Sequence, residues 1–310
     1  MSEPPTFSHL PVMVDRVVEV LAPVPAGTYV DATVGGGGHA AAVLAAAPHL
    51  RLVGLDRDAD AIAAAGERLA PFGDRARLVH ARFDELASVV DGPVSAVLFD
   101  LGVSSPQFDR PDRGFSYRAD APLDMRMDRR DPVTAADIVN TWGGDELARL
   151  LRTLGDERFA NRIARAIVAA RPVDTTARLA ELVADAVPAP ARRRGHGHPA
   201  RRTFQALRIA VNRELEVLPV ALDAALDLLA PGGRCAVLAY HSGEDRIVKE
   251  RFKEAATGGC TCPPGLPCTC GAEPRFRLLR RGAWMPAADE VAANRRAESA
   301  RLRAVERLAA

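Results

Sequence analysis

The sequence predicts an α/β protein whose sheet is interrupted by a block of helices. Three observations predict it. Apolar strand-like runs alternate with helical segments through the first hundred residues, three of those runs end in aspartate, and the alternation stops after Asp100 to resume only at Gly233. Strands that alternate with helices argue for a parallel sheet with helices on both faces.

Val12 to Leu21 places Val14, Val17, Val18 and Leu21 on one helical face. Thr28 to Asp31 is a short strand, and Gly35 to Gly38 a turn. His39 to Ala47 is a helix that stops before Pro48. Arg51 to Asp56 is a second strand, Ala59 to Leu69 a helix, Ala76 to His80 a third strand and Ser95 to Asp100 a fourth. From Pro106 to about Asn212 no strong strand run occurs. Glu146 to Leu154, Phe159 to Ala170, Thr176 to Val187 and Thr203 to Leu218 all carry helical patterns. Gly233 to Tyr240 restores a buried strand after the turn Pro231-Gly232-Gly233. The expected organisation is therefore a discontinuous domain, residues 1–105 with 213–310, and a helical insertion, residues 106–212. The insertion leaves at the carboxyl edge of the sheet, where open parallel sheets bind ligands.

With 310 residues, 48% of them hydrophobic, the chain can bury a sizeable core. Its net charge of +1 excludes a global basic field, so nucleic-acid contact must come from local patches. Met1 to His9 lacks a basic region followed by an apolar one, which predicts no secretory signal. No run approaches 18 uninterrupted apolar residues, so no membrane span and no membrane partner are expected. These features predict a cytoplasmic protein; a monomer or a homodimer is expected, with nothing in the sequence to choose between them.

The segment Asp31 to His39, DATVGGGGH, sets a carboxylate at a strand end, then a glycine loop, then a helix start. Glycine lets the backbone approach a ligand closely and take positive φ. Asp56 ends the next strand. An ionised carboxylate there only accepts hydrogen bonds and suits a ribose diol. A dinucleotide requires G-x-G-x-x-G, and Ala40 occupies the last glycine's place. Asp31 would repel a pyrophosphate, yet it would accept from an α-ammonium group. This favours S-adenosylmethionine (SAM) over a dinucleotide. A tight turn in a non-binding α/β protein is the bland alternative.

Asp100-Leu101-Gly102-Val103-Ser104-Ser105-Pro106-Gln107 follows the fourth strand. It resembles the short polar-Pro loop that receives the flipped base in amino-group methyltransferases. The lone pair of an exocyclic amine is delocalised into its ring, so the amine is a poor nucleophile. Acceptors on its N–H groups, Asp100 among them, hold it out of conjugation. In-line attack then needs nitrogen and methyl roughly 3–3.5 Å apart. The structural alternative is that Asp100 only orders a turn.

Here the sequence resembles the ribosomal RNA small-subunit methyltransferase H family, also called MraW. The resemblance runs from His9 to Arg307. It rests on His9-Leu10-Pro11-Val12-Met13, DATVGGGGH, LDRD at Leu55 to Asp58, DLGVSSPQ at Asp100 to Gln107 and RGFSY at Arg113 to Tyr117. It continues with PLDMRMD at Pro122 to Asp128, GDERFANRIARAIV at Gly155 to Val168, HPARRTFQALRIAVNREL at His198 to Leu215, and HSGEDRIVK at His241 to Lys249.

The resemblance implies a Rossmann-like SAM-dependent methyltransferase sheet with a helical substrate insertion after the fourth strand. It implies methylation of cytidine N4 in the decoding region of 16S rRNA, with the small ribosomal subunit as partner. Carried over residue by residue, its SAM contacts fall on Gly37, Gly38, His39, Asp56, Phe83, Asp100 and Gln107. The glycines and His39 would face the methionine end, Asp56 the ribose and Phe83 the adenine. Asp100 and Gln107 would close the sulfonium region. The family commonly has Arg or Lys at Gly36, Phe at Tyr240 and Leu at Gly243. The last departure is expected to loosen the loop that holds His241 and Glu244.

Three further signals remain. Arg192, Arg193, Arg194, Arg201 and Arg202 surround His196 and His198 with no acid between them, a candidate phosphate contact for RNA or a plain solvated loop. His241 follows the fifth strand and is a second candidate catalytic residue after Asp100, as a base contact or late proton acceptor. Cys260, Cys262, Cys268 and Cys270 form C-x-C-x5-C-x-C, which offers four thiolates for a structural zinc ion or else four free thiols. A nicotinamide oxidoreductase, a non-catalytic RNA-binding scaffold and a DNA amino-methyltransferase are the competing functions.

Overall fold

The computed structural model describes residues 11–103, 107, 110–194, 197–263 and 268–309. The described residues form two units, 1–102 with 217–310 and 103–216. The expected boundary at residues 105 and 106 falls outside the described residues.

The first unit is built on a seven-stranded sheet. Its strands are β1 (Gly27–Asp31), β2 (Leu50–Asp56), β3 (Ala76–His80), β4 (Val94–Asp100), β5 (Leu229–Ala239), β6 (Phe276–Leu278) and β7 (Arg301–Arg307). They lie in the order β3-β2-β1-β4-β5-β7-β6. β1 to β5 pair in parallel, whereas β7 pairs antiparallel with both β5 and β6. The sheet is thus mixed rather than all parallel. An antiparallel edge on a parallel sheet needs no crossover helix.

Side chains alternate across this sheet with the period of two that strands impose. Tyr29, Ala96, Leu98, Ala236 and Leu238 join one core layer with α1 (Val14–Leu21), α2 (Gly38–Ala46) and α3 (Ala59–Leu69). Val30, Val97, Phe99, Cys235 and Val237 join the opposite layer. There they meet Leu86 of the short α4 (Leu86–Val89) and the helices Glu214–Leu228 and Ser242–Thr257. Both faces are covered, as a buried parallel sheet requires. The turn expected at Pro231-Gly232-Gly233 lies inside β5, where the register to β4 slips between Val94 and Ala96 and Gly232 takes φ 77°.

The second unit is helical. It contains α5 (Ala135–Thr141), α6 (Gly144–Gly155), α7 (Ala160–Ala169), α8 (Thr176–Ala186), α9 (Ala189–Arg194) and α10 (Arg201–Asn212). Its core joins Ile138, Leu147, Leu151, Ile163, Ile167, Val183 and Leu207. Thr134 and Asp137 close a capping box on α5, and Thr175 caps α8.

The single helix expected over Thr203 to Leu218 is two helices. α10 ends at Asn212, Arg213 turns left-handed at φ 53°, and α11 (Glu214–Leu228) begins. At this stop Asn212 is buried. Its buried amide donates to the Met125 carbonyl and accepts from the Met127 amide, each at 2.8 Å. Buried Arg113 donates to the carbonyls of Arg126 and Met127. The matched segments RGFSY, PLDMRMD and NREL therefore hold one another inside this unit. α12 (Ser242–Thr257) and α13 (Ala288–Ala293) complete the helices named here. No helix among the described residues is long and apolar enough to cross a membrane.

Candidate active site

Three aspartates end three neighbouring strands of the sheet, namely Asp56 on β2, Asp31 on β1 and Asp100 on β4. The backbone between them is tied down by the strands themselves. The Ala32 amide donates to the Leu98 carbonyl, and the Val34 amide to the Leu55 carbonyl.

Thr33 links the Asp31 carboxylate to the backbone of Asp100. Its amide donates to Asp31 Oδ1 at 3.2 Å, and its hydroxyl accepts from the Asp100 amide at 2.6 Å. Asp31 is 1% exposed and also accepts from the Tyr29 hydroxyl at 3.1 Å. Burial pushes its carboxyl up to about 7, against the pull of His39 and the Thr33 amide, while Asp100 adds to the rise. Asp31 thus organises the loop from beneath. It is not the open acceptor for an ammonium group that its place in the sequence suggests.

The glycine turn sits above this lattice. Gly35 and Gly37 take φ of 51° and 76°, and a Cβ on Gly38 would meet Pro11 Cγ at 2.5 Å. A side chain fits at neither Gly37 nor Gly38 without strain. Gly36 differs, because a Cβ there meets nothing within 4 Å. The Gly35 amide donates to Asp56 Oδ2 and the Asp58 amide to Asp56 Oδ1, each at 2.9 Å. Burial raises Asp56 to about 6, with the two amides offsetting part of the effect. Each oxygen keeps a second lone pair. The cradle therefore has acceptors that could receive a ribose diol beside a closely approaching backbone.

His39 opens α2 and is 6% exposed. Its Nε2 lies 2.9 Å from the Val12 carbonyl and its Nδ1 3.4 Å from Asp100 Oδ2. Burial alone would lower its pKa, but Asp100, the Val12 carbonyl and Asp31 together raise it above the ordinary value. Acceptors at both nitrogens favour the protonated ring more than water does. Asp100 keeps 28% of its side chain exposed. Its Oδ1 accepts from the Tyr240 hydroxyl at 2.7 Å. Burial, and then Asp100 itself, hold the Tyr240 pKa well above its usual value, so the phenol remains a donor. Tyr240 lies two residues beyond the β5 partner of Asp100, and the sequence pattern carried no signal of this bond.

Phe83 follows β3 in a short turn of helix and packs edge-on against Phe99, ring centres 5.9 Å apart. His241 is the N-cap of α12. Its Nδ1 accepts from the Gly243 amide at 3.2 Å, and its Nε2 is buried 3.2 Å from Glu244 Oε1, out of line for a hydrogen bond. Glu244 accepts in return from the amides of Tyr240 and His241. Gly243 therefore belongs to a capped helix start rather than to a loose loop. Gln107 is buried and belongs to the second unit, while residues 104–106 and 108–109 lie outside the described residues.

The basic residues of the second unit are more widely distributed than the expected cluster. Arg192 and Arg193 are exposed on α9, where Arg192 lies 3.9 Å from Asp185. Arg201 and Arg202 are exposed in the first turn of α10, and Arg202 donates to the Asp156 carbonyl. His196 and the side chain of Arg194 lie outside the described residues. His198 stacks on Tyr117 with ring centres 4.7 Å apart. A second basic face is dispersed in the linear sequence. Arg152, Arg158, Arg162 and Arg165 line a hollow of about 220 Å³ beside Phe159 and Asn161. Arg152 at the end of α6, Arg158 in the connection and Arg162 and Arg165 on α7 come together there, where the linear sequence separates them with acids and apolar residues.

The sheet order, the glycine turn after its central strand and the strand-end aspartates define a Rossmann-like domain of the methyltransferase type. The model of the MraW methylase family matches residues 6–308. The chain is 54% identical over 313 residues to Ribosomal RNA small subunit methyltransferase H of Symbiobacterium thermophilum, covering 98% of both chains. It is 56% identical to the protein of that name from Thermobifida fusca, over 98% of this chain and 94% of the relative. It is 57% identical to the one from Saccharopolyspora erythraea, over 97% and 93%. The chain belongs to the MraW methylase family.

Proposed function

We propose that this protein transfers a methyl group from SAM to N4 of a cytidine in the decoding region of 16S rRNA. The substrate is presented in the small ribosomal subunit, in the cytoplasm. The observation that carries the reading is Asp100, a partly exposed carboxylate at the carboxyl edge of the sheet. It is fixed by Tyr240 on one oxygen, His39 on the other and Thr33 at its amide.

SAM, when bound, supplies a methyl carbon made electrophilic by its sulfonium. Asp56 would accept from the ribose hydroxyls, the backbone at Gly37 and Gly38 would lie alongside the cofactor, and Phe83 would cover the adenine. Asp100 accepts from an N4–H of cytosine and turns the nitrogen lone pair out of conjugation. The amine is acidic once methylated and releases its proton without a strong base. His39 acts through Asp100. The His241 side chain caps α12 through the Gly243 amide, while its backbone amide and that of Tyr240 donate to Glu244. Gln107 is assigned to the site on its motif alone. Exposed arginines of the helical unit, Arg192, Arg193, Arg201 and Arg202 together with Arg158 and Arg162, take the RNA phosphates; Arg194 is assigned with them on sequence alone. The base is extruded or presented unstacked.

The test is transfer of labelled SAM to small ribosomal subunits that lack the decoding-region methylation, followed by digestion to nucleosides. Label in N4-methylcytidine, lost in Asp100→Ala, is the expected result. Intact SAM binding with no transfer to subunits, naked rRNA or DNA would replace this reading with a non-catalytic RNA-binding scaffold.

A further inference from the structure

We propose that Cys260, Cys262, Cys268 and Cys270 form a mononuclear structural zinc site, separate from the methyl-transfer chemistry. The four Sγ atoms all lie within 4.8 Å of one another. Cys260 to Cys268 and Cys268 to Cys270 are each 3.5 Å apart, and Cys270 to Cys260 is 3.7 Å. A tetrahedral Zn–S bond of about 2.3 Å demands an S···S edge of ~3.8 Å, so three thiols already form one face of such a tetrahedron.

The fourth thiol belongs to the same group. Cys262 Sγ accepts from the Thr269 amide at 3.4 Å and lies 3.8 Å from the Thr269 hydroxyl. Both contacts keep the Cys262 sulfur beside the other three. All four cysteines are free of disulfides, and none is buried. Hydrophobic packing therefore does not explain their convergence, and the segment Gly259–Gly271 contains neither helix nor strand among its described residues.

The backbone closes the loop at its base. Gly258 caps α12 at φ 61°, and a Cβ there would lie 2.6 Å from the backbone of Glu273. The chain thus leaves α12 and returns toward β6 through one narrow neck, with the sulfurs gathered beyond it. Four thiolates in tetrahedral array select a d¹⁰ soft-accepting ion such as zinc over hard cations. Binding displaces the thiol protons to solvent and changes no oxidation state. Its role is to staple the α12–β6 connection.

Full-length protein purified without chelator should carry one equivalent of zinc by elemental analysis and native mass spectrometry. Cobalt replacement should give the intense visible bands of tetrahedral cobalt thiolate. Cys268→Ser with Cys270→Ser should reduce the zinc to near zero while SAM affinity stays within about twofold. Should that variant fail to fold, chelation of the wild-type chain decides, with stoichiometric zinc release and a fall in Tm expected. Four titratable thiols without metal, two disulfides by mass, or iron in place of zinc would each overturn the proposal.

Discussion

The Tyr240 hydroxyl donates to Asp100 Oδ1 at 2.7 Å, so a side chain from the strand beside β4 holds the carboxylate that faces the open end of the sheet. His39 approaches the other oxygen, which leaves Asp100 little rotational freedom. Tyr240→Phe removes one of these restraints and leaves the ring in place. A hydrogen bond to a charged but partly exposed acceptor is worth about 1 kcal/mol, so methyl transfer should fall roughly fivefold. SAM affinity should hold. Asp100→Ala removes the acceptor itself and should cost at least about 100-fold in the same assay. Equal rates for wild type and Tyr240→Phe would mean that His39 alone positions Asp100.

Asp56 gives SAM binding a pH dependence. Its pKa is raised to about 6, because burial costs the ion more than the Gly35 and Asp58 amides return. Protonation replaces an acceptor with a donor and removes a place for a ribose hydroxyl. Affinity should therefore fall as pH drops below about 6, by at most about tenfold per unit. Calorimetric titrations at pH 7.5 and 5.5 measure this. Asp56→Asn should bind weakly at both values, and a wild-type affinity that ignores pH would exclude Asp56 from the ribose site.

Asp31 makes the stability of the ligand-free protein pH-dependent in the opposite sense from a paired surface carboxylate. Its folded pKa of about 7 lies above the ordinary value, so the folded state binds the extra proton across the interval between them. The contribution to stability is full below about pH 4 and is lost as pH rises through 7. Asp31→Asn keeps an oxygen for the Thr33 amide and an amide group that the Tyr29 hydroxyl can accept from. The variant should therefore gain stability relative to wild type between pH 5 and pH 7.5, by on the order of 1–4 kcal/mol. Parallel Tm–pH curves for the two proteins would contradict the assigned burial cost.

The sheet was legible where its strands are buried on both faces. Apolar runs that end in Asp31, Asp56 and Asp100 announce themselves, because each run must be nearly all apolar and its last residue reaches the ligand edge. β7 was not legible. Arg301–Arg307 alternates charge with apolar residues, and its pairing with β5 and β6 is antiparallel and distant in sequence. The break at Arg213 was hidden too, since the helical period runs on through it while the left-handed Arg213 and the Asn212 bonds to Met125 and Met127 are tertiary features. The glycine loop and Asp100 could be named from motifs. The Tyr240 and Thr33 contacts could not, because they arise where separate strands meet.

Arg158 and Arg162 allow a test of RNA binding that is independent of catalysis. Both are exposed, and they share a hollow with Arg152 and Arg165, whose groups reach the Asn161 side chain and carbonyl respectively. A surface that neutralises phosphates releases counterions, and each contact adds about 0.7 to the salt slope for single-stranded RNA. Arg158→Gln with Arg162→Gln should therefore lower affinity for decoding-region rRNA about tenfold at low salt. The slope of log K against log salt should fall by roughly 1.4, and SAM affinity should stay unchanged. Filter binding across a salt series gives both numbers. An unchanged slope would move the RNA path away from α6 and α7 toward Arg192, Arg193, Arg201 and Arg202, where the same pair of measurements applies.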